Sequence, residues 1–255
     1  MSKVLKAAGL CKTYKLSKQN SFEALKDINL EVDEGEFVSV MGPSGSGKSS
    51  LLYSISSMDR MTSGSVVFDG IDISNCTENE LTDIRLKKMG FIFQDALLLK
   101  NLCILDNIVI SAFLSNEGTR KNAVEYAMTL MRMVGIEGIA MNDITQASGG
   151  QLQRVGICRA LINHPRIIFA DEPTGALNSK ATTEVMEILN DINRSGTTIL
   201  IVTHDAKVAA ITERVLYMRD GGIISELRLE KFDKAGQDLM AREKELSAWL
   251  QTKGF

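Results

Sequence analysis

The chain has 255 residues, 44% hydrophobic and 24% charged, enough to bury a substantial core in one large α/β domain or two lobes. A formal net charge of −3 supplies no broad positive field for nonspecific nucleic-acid binding. Four scattered cysteines, Cys11, Cys76, Cys103 and Cys158, suit a reducing compartment; with no C-x-x-C pair or histidine cluster they carry no zinc signature.

In chain order, the first ten residues lack a sustained apolar run, so no signal peptide is expected. Residues 4–8, 22–25 and 28–32 predict short strands, with a polar turn over 17–21. Residues 36–41 predict an apolar strand that runs into Gly42-Pro43-Ser44-Gly45-Ser46-Gly47-Lys48-Ser49. That octapeptide fits G-x-x-x-x-G-K-[S/T], and the stretch 50–55 after it predicts a helix. Glycines let backbone N–H groups approach a polyphosphate, and the helix N-terminus adds its positive dipole end. In such a cradle Lys48 reaches the β- and γ-phosphates and the Ser49 hydroxyl joins a Mg²⁺ shell. Nucleoside triphosphate binding follows as the expectation.

A strand over 64–70 comes next, then Thr77 with Glu80 three residues on, a capping box opening a helix toward Lys88. Residues 90–93 predict a buried strand ending at Gln94. From about 96 to 165 the periodicity turns helical: Ala123, Ala127, Leu130, Met131 and Val134 form one apolar stripe. Met128 and Met133 extend it as core residues. The most apolar stretch, 102–114, is broken by Asp106 and Asn107 and is too short to span a bilayer.

Ser148-Gly149-Gly150-Gln151 opens a predicted helix over 151–162, with Ser148 as N-cap and two glycines exposing backbone N–H groups. It is a second candidate anion site on one chain. His164, at the helix stop before Pro165, reads as a loop residue. From 166 onward α/β alternation returns: strand 167–170, helix 180–194, strand 198–202, helix 206–211, and two closing strands around Gly221-Gly222. The strand 167–170 ends in Asp171-Glu172, where an open α/β sheet binds ligands. There Asp171 suits a Mg²⁺ contact through water, and Glu172 suits activation of an attacking water. Beyond 228, Phe232, Leu239, Leu246, Trp249 and Leu250 predict a helix packed on the core, and balanced charges argue against direct membrane insertion.

The phosphate loop, Gln94, Ser148-Gly149-Gly150-Gln151, Asp171-Glu172 and His204, in that order, resemble the ATP-binding cassette (ABC) family over about residues 4–227. The resemblance implies a P-loop NTPase (RecA-like) α/β core with an antiparallel β subdomain, from 1–95 and 165–228. It implies a helical subdomain inserted at 96–164, leaving 229–255 as a C-terminal helical extension. Gly42, Ser44, Gly45, Ser46, Gly47, Lys48, Ser49 and Ser50 would hold the phosphates of ATP, and Tyr14 would stack on adenine. Ser49, Gln94 and Asp171 would form the Mg²⁺ set; Glu172 would be the general base and His204 a γ-phosphate contact. Two copies would pair head to tail, with Ser148-Gly149-Gly150-Gln151 of one capping ATP on Lys48 of the other. A separate membrane permease would be the second partner, placing the chain peripherally on the cytoplasmic face of the membrane.

Two positions depart from the family pattern. Asn178 stands where aspartate is usual, which removes a charge, and Ala147 replaces a larger aliphatic residue. Three segments, 171–177, 91–95 and 56–59, are similar to the branch of macrolide-exporter, lipoprotein-releasing, cell-division and peptide-antibiotic-resistance ATPases. A soluble DNA-repair ATPase would need a long heptad insertion, and a translation ATPase two cassettes; neither is present. A regulatory ATPase that transmits force without moving a solute stays open.

Overall fold

In the computed structural model β1 (Lys3–Lys15) and β2 (Ser21–Asp33) pair antiparallel along most of their length. The two strands expected at 22–25 and 28–32 are one strand, because Asp27 absorbs the irregularity in a left-handed conformation (φ 47°) while the pairing register shifts opposite it. All residues are described except Met1, Leu16, Lys18, Gln19, Lys234, Ala235, Gln237 and Phe255, so the expected turn at 17–21 lies partly outside the described residues.

β3 (Phe37–Met41), buried at every position, enters the larger sheet and delivers the phosphate loop to α1 (Lys48–Ile55). β4 (Ser63–Phe68) and β5 (Ile71–Asp72) complete a four-stranded antiparallel sheet ordered β2-β1-β4-β5. The Thr77–Glu80 capping box forms and opens α2 (Glu78–Lys88), which leads into β6 (Met89–Phe93). Three helices follow: α3 (Ile104–Ser115), α4 (Arg120–Met133) and α5 (Gly149–Leu161). β7 (Ile167–Asp171), α6 (Ser179–Arg194) and β8 (Thr198–Val202) restore the α/β alternation. α7 spans only Ala206–Ala209, two residues short of the expected helix, because Ala210 and Ile211 already turn toward β9 (Arg214–Arg219). β10 (Gly222–Arg228) closes the hairpin, and α8 (Leu239–Gln251) ends the chain.

The six-stranded sheet is ordered β10-β9-β3-β8-β7-β6, with β9, β3, β8, β7 and β6 mutually parallel. Its faces follow the two-residue period of a strand. On β7, Ile168 and Ala170 join the core shared with α3, α4, α5 and α6, while Ile167 and Phe169 point to α1 and the antiparallel sheet. Each fully buried Ile, Leu or Phe adds about 1.5–3 kcal/mol, so this two-sided burial fixes the strand ends that carry polar groups.

The apolar stripe of α4 is buried at Ala127, Leu130 and Met131, with Met128 packed at its border. Met133 is a correction: at 55% exposure it faces solvent, because it lies on the flank of the stripe at the last helical turn. α8 packs as expected, burying Leu246 and Leu250 against Ala209, Ala210 and Tyr217, with Trp249 edge-on to Tyr217. Arg242 on α8 donates to the carbonyls of Ala210, Thr212 and Glu230, closing the α7–β9 turn from outside. Among the described residues no helix is long and apolar enough to cross a membrane.

Candidate active site

β3, β8, β7 and β6 are adjacent and parallel, so the segments after them meet along one edge of the sheet. These are the phosphate loop, Thr203-His204, Asp171-Glu172 and Gln94. Carboxyl ends of parallel strands are where open α/β sheets bind ligands. A cavity of about 530 Å³ opens there, lined by Gly42, Ser44, Gly45, Gly47, Lys48, Ser49, Ser50, Glu172 and His204, with Phe22 and Ala24 from β2.

The loop is held open by its glycines. An added Cβ on Gly42 would fall 2.1 Å from the Met218 carbonyl oxygen, and one on Gly47 (φ 98°) 2.5 Å from that of Ala24. Gly47 is the N-cap of α1 and supplies no side-chain cap, so the first N–H groups of that helix face the cavity unpaired by a capping group. Ser46 Oγ is buried in the loop without a hydrogen-bond partner. An orphaned buried hydroxyl of this kind costs about 1–3 kcal/mol, while the open N–H groups of α1 suit an anion in the cradle. Lys48 Nζ donates to the carbonyls of Gly42 and Pro43, both at 2.9 Å. Burial lowers the Lys48 ammonium pKa, and the nearby carboxylates of Glu172 and Asp171 oppose that shift.

Ser49 donates to Asp171 Oδ1 at 3.0 Å, and Tyr53 donates to Asp171 Oδ2 at 2.7 Å. A hydroxyl and a carboxylate this close are hard oxygen donors, which fits Mg²⁺. Burial first, then the Asp171 carboxylate, pushes the Tyr53 phenol up to about 12, which keeps it a donor. Gln94, the third expected metal contact, is exposed and lies over Gly175, where an added Cβ would sit 3.2 Å from its Cδ. Glu172 occupies a left-handed conformation (φ 49°), and its Oε2 meets His204 Nδ1 at 2.6 Å. For a non-glycine residue that backbone is costly, and Glu172 N–H to Val202 O together with Gly175 N–H to Glu172 O hold it there.

Tyr14 reaches the loop's border but not the cavity wall. Its hydroxyl donates to Asp59 at 2.8 Å and lies 3.5 Å from Ser50 Oγ, while Lys12 Nζ sits 4.8 Å from its ring centroid. The aromatic side chain lining the cavity is Phe22, 51% exposed and paired across the sheet with Tyr14. Phe22 and Tyr53 escaped sequence reasoning. A strand phenylalanine reads as core, and nothing in the sequence ties Tyr53 to Asp171 except its spacing of four from Ser49 on one helix face.

Ser148-Gly149-Gly150-Gln151 is absent from this cavity. Ser148 and Gly149 are exposed at the start of α5, where Ser148 Oγ accepts from Gln151 N–H at 3.3 Å and Gln151 Oε1 accepts from Ser148 N–H at 2.8 Å. Asn178 caps α6 by accepting from Ala181 N–H at 2.9 Å, and Ala147 packs at the edge of the helical core. His164 adopts φ 50° and stacks on Tyr126 away from the site, a loop residue as expected.

Known proteins resemble this chain in sequence and fold. A family model described as ABC transporter matches residues 25–175, more than half of the chain. The ABC transporter ATP-binding protein MJ0796 of Methanocaldococcus jannaschii is 43% identical over 90% of this chain and 99% of its own length. The lipoprotein-releasing system ATP-binding protein LolD of Aquifex aeolicus is 40% identical over 89% of this chain and 99% of its own. The macrolide export ATP-binding/permease protein MacB of Aggregatibacter actinomycetemcomitans is 42% identical over 85% of this chain, which spans only 34% of that protein. A dimeric structure of the MJ0796 cassette in a post-hydrolysis state, bound to ADP and Pi, superimposes with a TM-score of 0.83 at 41% identity, over 89% of this chain and 100% of that one. This chain belongs to the ABC transporter ATP-binding family.

Proposed function

We propose that this chain is the ATP-hydrolysing subunit of an ABC transporter, closing as a homodimer on ATP and driving a permease carried on a separate chain. The observation that carries this reading is a separation. Lys48, Ser49, Glu172 and His204 line one cavity, while Ser148 and Gly149 stand exposed outside it on the same chain. A second copy turned head to tail brings its 148–151 segment over the open side of the cradle. Ser148 Oγ accepts from Gln151 N–H yet keeps its own proton to donate to a phosphate oxygen.

In the mechanism Lys48 leaves the Gly42 and Pro43 carbonyls for the more strongly charged phosphates of ATP. Tyr14 and Phe22 receive the base at the outer end of the cavity, Phe22 from its wall and Tyr14 from its border. Ser49 and Asp171, with Gln94 as a third contact, would hold Mg²⁺, whose charge would offset that of the phosphates. Glu172 takes a proton from the attacking water, whose oxygen bonds to the γ-phosphorus as ADP leaves. His204, 2.6 Å from Glu172, orients that carboxylate and contacts the γ-phosphate.

Coupling to the membrane runs through a groove of about 500 Å³ between α2, β6 and α5, lined by Met58, Arg85, Phe91, Leu97 and Leu99. Leu97 and Leu99 are exposed three and five residues after Gln94, so a permease segment seated there would feel a movement of Gln94. Macrolide export and lipoprotein release, the activities in the names of MacB and LolD, suit a peptide, drug or lipid-like cargo on this reading, which also puts the chain on the cytoplasmic face.

Glu172→Gln tests the reading. With ATP and Mg²⁺ the variant should elute as a dimer and hydrolyse about 10²–10⁴ times more slowly. Unchanged steady-state hydrolysis would remove Glu172 from its role. Detergent extracts should yield the chain with a membrane subunit; recovery with ribosomes or DNA alone would defeat the transporter assignment.

A further inference from the structure

Both oxygens of the Asp171 carboxylate are engaged from one helix: Ser49 donates to Oδ1 at 3.0 Å and Tyr53 to Oδ2 at 2.7 Å. The donors are four residues apart, so they share the face of α1 that packs on β7. A carboxylate at a strand end turns freely about its side-chain torsions unless both oxygens are held. Here Tyr53 takes the oxygen farther from Ser49 and leaves Oδ1 beside the Ser49 hydroxyl. The Tyr53 ring packs at the border of the core formed by α1 and the antiparallel sheet, which makes the phenol a stiff support. Groups that hydrogen-bond a metal-binding carboxylate set its orientation and basicity, and their loss weakens metal affinity.

We propose that Tyr53 is a positioning residue that holds the Asp171 carboxylate against Ser49 and so sets the affinity of the site for the divalent cation that accompanies the nucleotide. The assignment rests on the nucleotide-binding reading of the same loop. Neither the phosphate-loop pattern nor the strand-end carboxylates specify a tyrosine at this position.

Tyr53→Phe keeps the ring and removes only the donor. Two equilibrium measurements read its effect: ADP affinity in the presence of a chelator, and Mn²⁺ affinity in the presence of ADP by electron paramagnetic resonance. ADP affinity without metal should stay within about twofold of the parent while Mn²⁺ binds about tenfold more weakly, the lower end of what lost outer-shell partners cost. The Mg²⁺ concentration for half-maximal hydrolysis should rise in step. Parent-like Mn²⁺ affinity would overturn the assignment, as would a loss of metal-free ADP binding, which would place Tyr53 on the nucleotide or the fold instead. A parent chain that binds no ADP would end the nucleotide reading itself.

Discussion

The phosphate loop and the 148–151 segment both place serine and glycine at the start of a helix, yet the chain finishes them differently. α1 begins at Gly47 with no side-chain cap, and its open N–H groups face a cavity. α5 begins at Ser148 with a complete capping box and faces solvent. The donors of an uncapped helix start are left to water or a ligand, so the first arrangement can take an anion on the same chain. A capped, exposed start is stable alone, so the second is free to act on a surface of another molecule. Their glycines differ in the same sense. Gly42 is pressed against the Met218 carbonyl, whereas the nearest atom to a Cβ on Gly149 is Leu177 Cδ2 at 3.8 Å. One half is built into the core and the other laid on the outside.

The strongest test of this contrast is complementation. Lys48→Ala should lose nucleotide binding or hydrolysis by at least about 10²-fold, since it deletes the charge that meets the phosphates. Ser148→Arg should bind ATP as a monomer like the parent but lose hydrolysis to a similar degree. In a head-to-tail dimer a mixture of the two contains one intact composite site, so activity should return on mixing. A mixture as inactive as its components would show that each chain completes its own site.

Stability separates the halves next. Gly42→Ala should destabilise the chain by more than about 2 kcal/mol in denaturant unfolding, because the new methyl meets backbone that has nowhere to move. Gly149→Ala should stay within about 0.5 kcal/mol while lowering ATP-driven dimerisation. Equal unfolding midpoints for the two variants would remove the distinction between a core-bound and a surface-laid glycine.

Arg242→Ala addresses the outer support of the His204 side. Losing donors to three carbonyls, of Ala210, Thr212 and Glu230, should cost about 2–4 kcal/mol of stability. A change under about 0.5 kcal/mol would mean that α8 rests on the cassette without fastening the α7–β9 turn. The smallest expected effect belongs to Asn178→Asp. Aspartate caps a helix as well as asparagine does, so stability should hold and hydrolysis rise less than about threefold. A fall in hydrolysis would show that the neutral side chain is matched to its partners.

The phosphate loop, the capping box at Thr77, the N-cap at Ser148 and the carboxylates at the end of β7 were legible because each rests on local rules of spacing and helix termini. Less legible were features set by neighbours distant in sequence. The bulge at Asp27 joins what reads as two strands, since a break in alternation looks the same whether the strand ends or shifts register. Met133 continues the arithmetic of a helical stripe, but exposure is decided by what packs opposite it. Phe22 looks like a core residue of β2 until its face is found on the cavity wall.

By itself the sequence marked the candidates: a phosphate-loop pattern, a serine and an aspartate suited to a hard cation, a strand-end glutamate suited to act as a base and a second serine-glycine helix start, all encoded by short-range pattern. Only the tertiary structure decided which of these stand together. The parallel order β3-β8-β7-β6 gathers Lys48, His204 and Glu172 at one sheet edge, and α1 brings Tyr53 onto Asp171. The same packing leaves Ser148 exposed and outside the lining of that cavity. Strand order and helix docking are fixed by burial of two apolar faces across the whole chain, a sum over residues that no single motif contains.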